Sequence, residues 1–472
     1  MSVFGALTGS NTTHNLEQAF GAKDVTTAPI ATALEDWYAL YYAGDAVSPP
    51  DCEWDNSQRL PCVIVNKLTK AAFAEYKAGV ATAGGEPTPR EQFFAAALAG
   101  LDARRGLAMQ HALVGGETLL KPVFGARGLY WMVVPRTHYC VFGRGPDGAP
   151  VDIGTVERTT IGRQYYTLAE RRIVGPAGHL TIESRLYCSG DEATLGAQVP
   201  LDTLPQYAGL APAVTLPVPL WSVGLARLCT PMLNCIDEST APVSVYAACT
   251  GLLHRVQEND AQLNGEFERG QSRIIASADM LYTTSEDGKA RKRLRDNVFT
   301  ALDDDPEATG VTIFSPALRE QSYFARDNAL MRRIENLIGL KRGILSEVEA
   351  AQRTATEITS TDGEYNLTII DFQNQWEAMV REALGLVDIL GQMYRQIPAG
   401  EAPELVIDWG NGILYDDDKE RQRDMDMAAA GLLRGEVVLA RRFGLPYETP
   451  EDLQVIRDKY MPELEELAAG EV

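Results

Sequence analysis

The chain has 472 residues, 45 % of them hydrophobic and 23 % charged, with 65 acidic against 43 basic side chains and a formal net charge of −22. That length predicts two to four domains or sub-domains, and that balance belongs to a folded chain rather than a disordered one. The acidity speaks against a general nucleic-acid binder, and the lack of any apolar run of about 18 residues speaks against a transmembrane helix and a membrane partner.

Residues 1–30 are polar and rich in Gly and Thr, which predicts a loose arm. Their opening, MSVFGALTGSNTTHNLEQ, has no basic region followed by an apolar core, so it does not read as a secretory signal. ALEDWYALYYAG (33–44) predicts a short aromatic helix, and VIVNKLTKAAFAEYKAGV (63–80) keeps a helical period through Val65, Leu68, Ala72 and Tyr76. After the breaker run AGGEPTP, Thr88 and Glu91 form a T-x-x-E capping box with Pro89 at the first helical position. That box opens a helix over PREQFFAAALAGLDARRGLAMQHAL.

The period then changes. LLKPVF, LYWMVVP, HYCVFG, QYYTLAERRIV and LTIESRLYC, separated by Gly-, Pro- and Asp-rich turns, predict an antiparallel meander between Leu119 and Cys188. Residues 189–235 carry proline-spaced apolar runs that suit an irregular connection. From Pro242 to Arg269, Val245, Cys249, Leu252, Val256, Leu263 and Phe267 predict one long helix, stopped by Gly270.

SRIIAS (272–277) and GVTIFS (310–315) predict strands, and between them lies the basic run KARKRLR (289–295). DNALMRRIENLIGLKRGIL returns to a helical pattern through Leu330 and Ile334, weakened near its end by Gly339 and Gly343. The strongest helical pattern is NLTIIDFQNQWEAMVREALGLVDILGQMYRQI (366–397). PELVIDW then predicts a strand, and ERQRDMDMAAAGLL, EVVLARRFG and PEDLQVIRDKY predict three short helices. The fold class is therefore α+β, mainly helical. From Glu401 to Val472 there are 18 acidic against 8 basic residues, a net of −10, which predicts a solvated acidic surface.

A search for chemistry finds little. Seven scattered cysteines without a CxxC pair suit a reducing compartment and argue against a disulfide framework or a zinc site. The five histidines show no metal-ligand spacing, and neither a nucleophile elbow nor a phosphate loop occurs. No cofactor and no metal is implied. GRGPDG (143–148) sits between strand patterns and reads as a hairpin turn. Asp416, Asp417 and Asp418 could recruit a divalent cation for hydrolysis, but acidic residues at a helix N-terminus need no metal.

Two stretches stand out. Lys289, Arg291, Lys292, Arg293 and Arg295 place five positive charges in seven residues, suited to phosphate backbones or an acidic partner surface. The plainer account is a solvated helix face balancing Glu286, Asp287 and Asp296. In QRTATEITS (352–360), Thr354 and Glu357 fit a second capping box, which leaves Arg353 for a carboxylate of its own or a neighbouring subunit.

In this order the pieces resemble the portal proteins of tailed bacteriophages. The resemblance rests on LPCVIVNKLTKAAFAEYKAG, VSVYAACTGLLHRVQENDAQLNGEFERGQSRIIAS, IFSPALREQSYFARDNALMRRIENLIGLKRGIL, QRTATEITS with the helix after it, and PELVIDWGNGILYDDDKERQRDMDM. It covers most of residues 35–445, and RTATE, with Arg353, Thr354, Thr356 and Glu357, is its most specific part. Asp362-Gly363 departs from it as an interruption of the long helix, and the acidic tail after 445 matches nothing.

The resemblance implies a non-enzymatic homo-oligomeric ring, usually of twelve subunits, at one capsid vertex of a virion assembled in the host cytoplasm. Double-stranded DNA would pass through its channel. Implied partners are the large terminase subunit, the major capsid and scaffolding proteins, and a head-tail adaptor. Implied regions are an N-terminal arm and wing over 1–238, a stem helix and clip over 239–309, a wing return with the long backbone helix over 310–398, and a crown over 399–472. A tunnel loop is expected near 316–350. A mostly acidic channel wall would keep DNA sliding, because cations grip phosphates and release them slowly.

Overall fold

The computed structural model describes residues 10–42, 58–81, 86–125, 128–269, 273–276, 281–286, 289–294, 311–314, 317–347, 355–410, 417–443, 445, 447 and 449–460. The chain divides into two compact units, Met1–Ala72 with Gly79–Val406, and Phe73–Ala78 with Ile407–Val472.

The larger unit opens with helix α1 (Ser10–Phe20). This overturns the loose-arm expectation for that stretch. Leu16 and Ala19 are buried against Cys140, Phe142, Val156, Ala169 and Tyr187, and that burial decides against the polar composition. Helices α2 (Ala28–Tyr42) and α3 (Leu60–Ala72) follow. The α3 period ends at Ala72, short of Tyr76, and strand β1 takes up Lys77–Val80.

At α4 (Pro89–Asp102) the predicted capping box is present, with the Glu91 amide donating to the Thr88 hydroxyl at 3.2 Å and the Thr88 amide to the Glu91 carboxylate at 2.7 Å. The predicted single helix breaks after Asp102, and α5 spans Arg105–Gly115. Gly116 turns the chain at φ +84, where a Cβ would lie 2.5 Å from the Pro242 carbonyl. Only glycine fits that crossing.

The meander forms, with one strand more than expected. β2 (Glu117–Gly125), β3 (Gly128–Pro135), β4 (Tyr139–Arg144), β5 (Pro150–Ile161), β6 (Gln164–Val174) and β7 (His179–Ser189) run in sequence, and GRGPDG is the turn between β4 and β5. β5 carries Asp, Gly, Glu, Arg and Thr among its apolar residues, so it lacks the apolar run that marks its neighbours. The segment expected to be irregular contains β8 (Ala197–Val199), β9 (Ala213–Pro219) and β10 (Ala226–Cys229). Two sheets result: β4-β5-β6-β7-β8 with β9 also on β7, and β10-β2-β3. Between them Leu119, Val134, Tyr139, Val141, Ile153, Val223 and Leu225 form a buried cluster.

The long helix predicted from Pro242 begins only at Thr250, as α6 (Thr250–Arg269). Ahead of it the chain is pinned to the end of α5: the Val245 amide donates to the Leu113 carbonyl at 3.0 Å and the Ser244 hydroxyl to the same carbonyl at 3.0 Å. Then come β11 (Arg273–Ala276), β12 (Leu281–Glu286), β13 (Lys289–Leu294), β14 (Val311–Phe314) and α7 (Glu320–Ile338).

Helix α8 (Ala355–Met393) has 39 residues, about 58 Å at 1.5 Å each. It runs without a break through Asp362-Gly363, so the expected interruption does not occur. A mid-helix glycine costs about 1 kcal/mol, and beyond it Ile369, Phe372, Trp376, Met379, Val380, Ala383 and Val387 are buried along the helix. Arg90 of α4 ties to α8 through Asp388, and its Nε donates to the Glu401 carbonyl at 2.7 Å.

Strand β15 (Leu405–Asp408) leads into the smaller unit, with helices α9 (Asp417–Ala429), α10 (Gly435–Phe443) and α11 (Pro450–Tyr460), close to the three predicted. Its rings Phe73, Tyr76 and Trp409 cluster, with Phe73 stacked on Trp409 and edge-on to Tyr76, and Tyr76 tilted against Trp409. Arg457 of α11 grips Glu436 of α10, and Arg441 reaches Asp424 of α9 at 3.1 Å. Among the described residues no helix is long and apolar enough to cross a membrane.

Candidate functional site: a helix pair and its basic strand

Helices α6 and α7 pack side by side in the larger unit. Leu253 and Val256 on α6, and Leu330, Ile334 and Ile338 on α7, are buried, which follows from their three- and four-residue spacing. Polar bridges fix the direction. Asn259 donates to the Tyr323 carbonyl at 3.2 Å, Arg326 to Gln262 at 3.2 Å, and Arg319 to Glu266 at 3.1 and 2.8 Å. Arg319, just ahead of α7, meets Glu266 near the end of α6, while Asn259 and Gln262, earlier on α6, meet Tyr323 and Arg326, later on α7, so the pair is antiparallel.

Gln58 spans the pair, donating to Asp260 at 2.9 Å and to Asp327 at 3.2 Å. Burial raises the Asp327 pKa above the ordinary carboxylate value, partly offset by the Gln58 bond. His254 of α6 meets Asp36 of α2 at 2.9 Å, and that hydrogen bond raises the imidazole pKa against the effect of burial.

Where the pair ends, the chain turns to β structure. β11 and β14 pair antiparallel, with Arg273 opposite Phe314 and Ala276 opposite Val311. β12 and β13 pair antiparallel, with Glu286 opposite Lys289 and Leu281 opposite Leu294. Lys289, Arg291, Lys292 and Arg293 therefore lie on a strand, not on the helix face considered above. Strand pairing with β12 decides this local structure. Arg295 lies outside the described residues.

The segment after α7 is tied back to it. Gly339 ends the helix at φ +78. Glu335, fully buried, accepts from the amides of Gly343, Leu345 and Ser346 at 3.1, 2.7 and 3.0 Å, and from the Ser346 hydroxyl at 2.6 Å. No sequence motif announces this cradle, because its partners become neighbours only after the chain reverses.

Of the RTATE residues, Arg353 and Thr354 lie outside the described residues, and Thr356 and Glu357 occupy the first turn of α8, which is described from Ala355. Asp416 also lies outside them, while Asp417 and Asp418 open α9. Among the described residues no group of three or more His, Cys, Asp or Glu side chains is placed to hold a metal.

No family model matches the chain, and no curated protein does. Solved structures do. A chain from the virion of a native gene transfer agent particle is 12 % identical over 93 % of this chain and 99 % of that one, with a TM-score of 0.45. A chain from the neck of an empty gene transfer agent particle is 13 % identical over 93 % of this chain and 100 % of that one, with a TM-score of 0.43. A likeness at that level fixes neither fold nor function.

Proposed function

We propose that this chain is a portal subunit. It builds a ring at one capsid vertex, usually of twelve copies, through whose channel double-stranded DNA is packaged and later ejected. The observation that carries this reading is the antiparallel pair α6 and α7 with paired strands between them in sequence. Helix α6 and strands β11 to β13 fall within 239–309, where the sequence resemblance puts stem helix and clip, whereas β14 and α7 lie in the stretch it gives to the wing return, so this reading extends stem and clip to residue 338.

In this reading α6 and α7 are the stem, β11 to β14 belong to the clip, and α8 is the backbone helix of a wing that includes residues 1–238. The tunnel loop, expected near 316–350, shifts past α7, and residues 399–472 form the crown. The role is structural, not enzymatic. The clip docks the large terminase subunit and then a head-tail adaptor, while the wing meets major capsid and scaffolding proteins in a virion assembled in the host cytoplasm.

The basic strand Lys289, Arg291, Lys292 and Arg293, with Arg295 beyond it, meets DNA or the motor. Reversing these charges should impair packaging and leave rings intact; normal packaging would remove the role. Thr356 and Glu357 stand in the first turn of α8, and Arg353 pairs with a carboxylate of its own or a neighbouring subunit, so Arg353→Ala should weaken ring stability. Size-exclusion chromatography with light scattering tests the whole reading. It predicts a closed ring near twelve subunits, and a stable monomer with metal-dependent hydrolysis needing Asp416, Asp417 and Asp418 would contradict it.

A further inference from the structure

Strands β2, β3, β6, β7 and β9 and the end of α8 surround a cavity of about 730 Å³, within the range of small-molecule sites. It holds a charge cluster for which ring assembly supplies no role. Lys121 of β2 and Glu170 of β6 form an ion pair, both nearly buried. Arg172 lies two residues along β6 from Glu170, on the same face of the sheet, and is 6 % exposed.

Arg172 is poorly matched. Its Nη1 donates to the Val223 carbonyl at 3.3 Å. Its Nε is buried with no hydrogen-bond partner among the described residues. The three groups together carry two positive charges and one negative, and Lys121 already holds the carboxylate. Glu157 also reaches the cavity, where it accepts from the Tyr207 hydroxyl at 2.9 Å. Burying a guanidinium is unfavourable unless an anion and its hydrogen bonds compensate it.

The remaining wall is apolar. Leu168, Leu180, Leu216 and Leu220 line it, and all four are buried. Tyr130, Leu210, Val214 and Tyr394 stand exposed at its mouth.

We propose that this cavity binds a small monocarboxylate with an apolar tail, its carboxylate on Arg172 and its tail against the leucines. The planar guanidinium fork matches a carboxylate. Lys121 and Arg172 against Glu170 and Glu157 leave the cavity neutral overall, with Arg172 bonded to no carboxylate among the described residues, which suits a monoanion and disfavours a phosphate dianion.

The test uses the full-length protein in whatever assembly it adopts, with octanoate as the probe and isothermal titration as the readout. Octanoate should bind saturably at one per chain, and octan-1-ol at least tenfold more weakly. Arg172→Met should reduce octanoate affinity at least tenfold. It should melt no lower than the parent, because Lys121 and Glu170 remain as a neutral pair. Leu210→Asp, at the exposed mouth, adds a negative charge without disturbing the core and should weaken octanoate at least threefold. It carries the decision if Arg172→Met fails to fold. Absence of saturable octanoate binding, equal affinity for octan-1-ol, or unchanged affinity in either folded variant would overturn the site.

Discussion

In the sheet body Glu117 is 1 % exposed between two guanidinium groups, whereas the α6–α7 pair is joined by Arg319, whose side chain is 69 % exposed where it meets Glu266. Glu117 lies 3.0 Å from Arg227 and 4.0 Å from Arg136. Burial pushes its pKa up, but the two guanidinium groups outweigh that and hold it below the ordinary carboxylate value. The helix pair instead is bridged partly at the surface, by Arg319 to Glu266 and Arg326 to Gln262, and partly by the buried Asn259. The sheet body thus stakes a buried carboxylate on one arrangement, while the ion pair that joins the helices leaves its cation in solvent.

The largest test of this contrast is Glu117→Ala. It leaves Arg227 and Arg136 facing each other without their shared carboxylate, and should destabilise by about 3–5 kcal/mol in denaturant unfolding. The same carboxylate sets an acid limit. Its folded pKa is depressed, so its contribution is present above the unfolded pKa and is lost as pH falls through the folded one. The parent should lose stability in that acid window more steeply than the variant.

Gly116→Ala ranks next, since it forces a Cβ into the left-handed region against the Pro242 carbonyl. The strain should cost about 1–3 kcal/mol, and a melting curve reads it. Arg319→Ala should cost no more than about 1 kcal/mol, as exposed ion pairs do. A loss of about 3 kcal/mol there would break the comparison.

The smallest effect is on pH. His254 has its folded pKa raised by Asp36, so its stabilisation is full below the unfolded imidazole value, near 6.5, and fades as pH rises through the folded one. Asp36→Asn should return the His254 titration, followed by NMR, towards the ordinary value. An unmoved titration would mean the hydrogen bond is not its cause.

Local signals were the legible part of this fold. Thr88 and Glu91 lie three residues apart, so their capping box could be read directly and is present. The strands SRIIAS and GVTIFS were legible one by one from β-branched runs. Their pairing was not, because 34 residues separate Ala276 from Val311. Helix α1 is not legible because what buries Leu16 is distant in sequence: its partners Cys140 and Val156 arrive more than a hundred residues later.

The buried charges were wholly hidden. Glu117 and Arg227 meet because β2 and β10 pair with Glu117 opposite Cys229, a register that no spacing predicts. Arg172 sat within QYYTLAERRIV as one more polar residue on a strand. Only the closing of β2 and β9 around it made it a buried cation.

Electron microscopy of the purified full-length particle tests the central claim most directly. The portal reading predicts a closed ring near twelve subunits around an axial channel, with α6 and α7 of each subunit standing along that channel. A monomer, or an assembly without an axial channel, would contradict it.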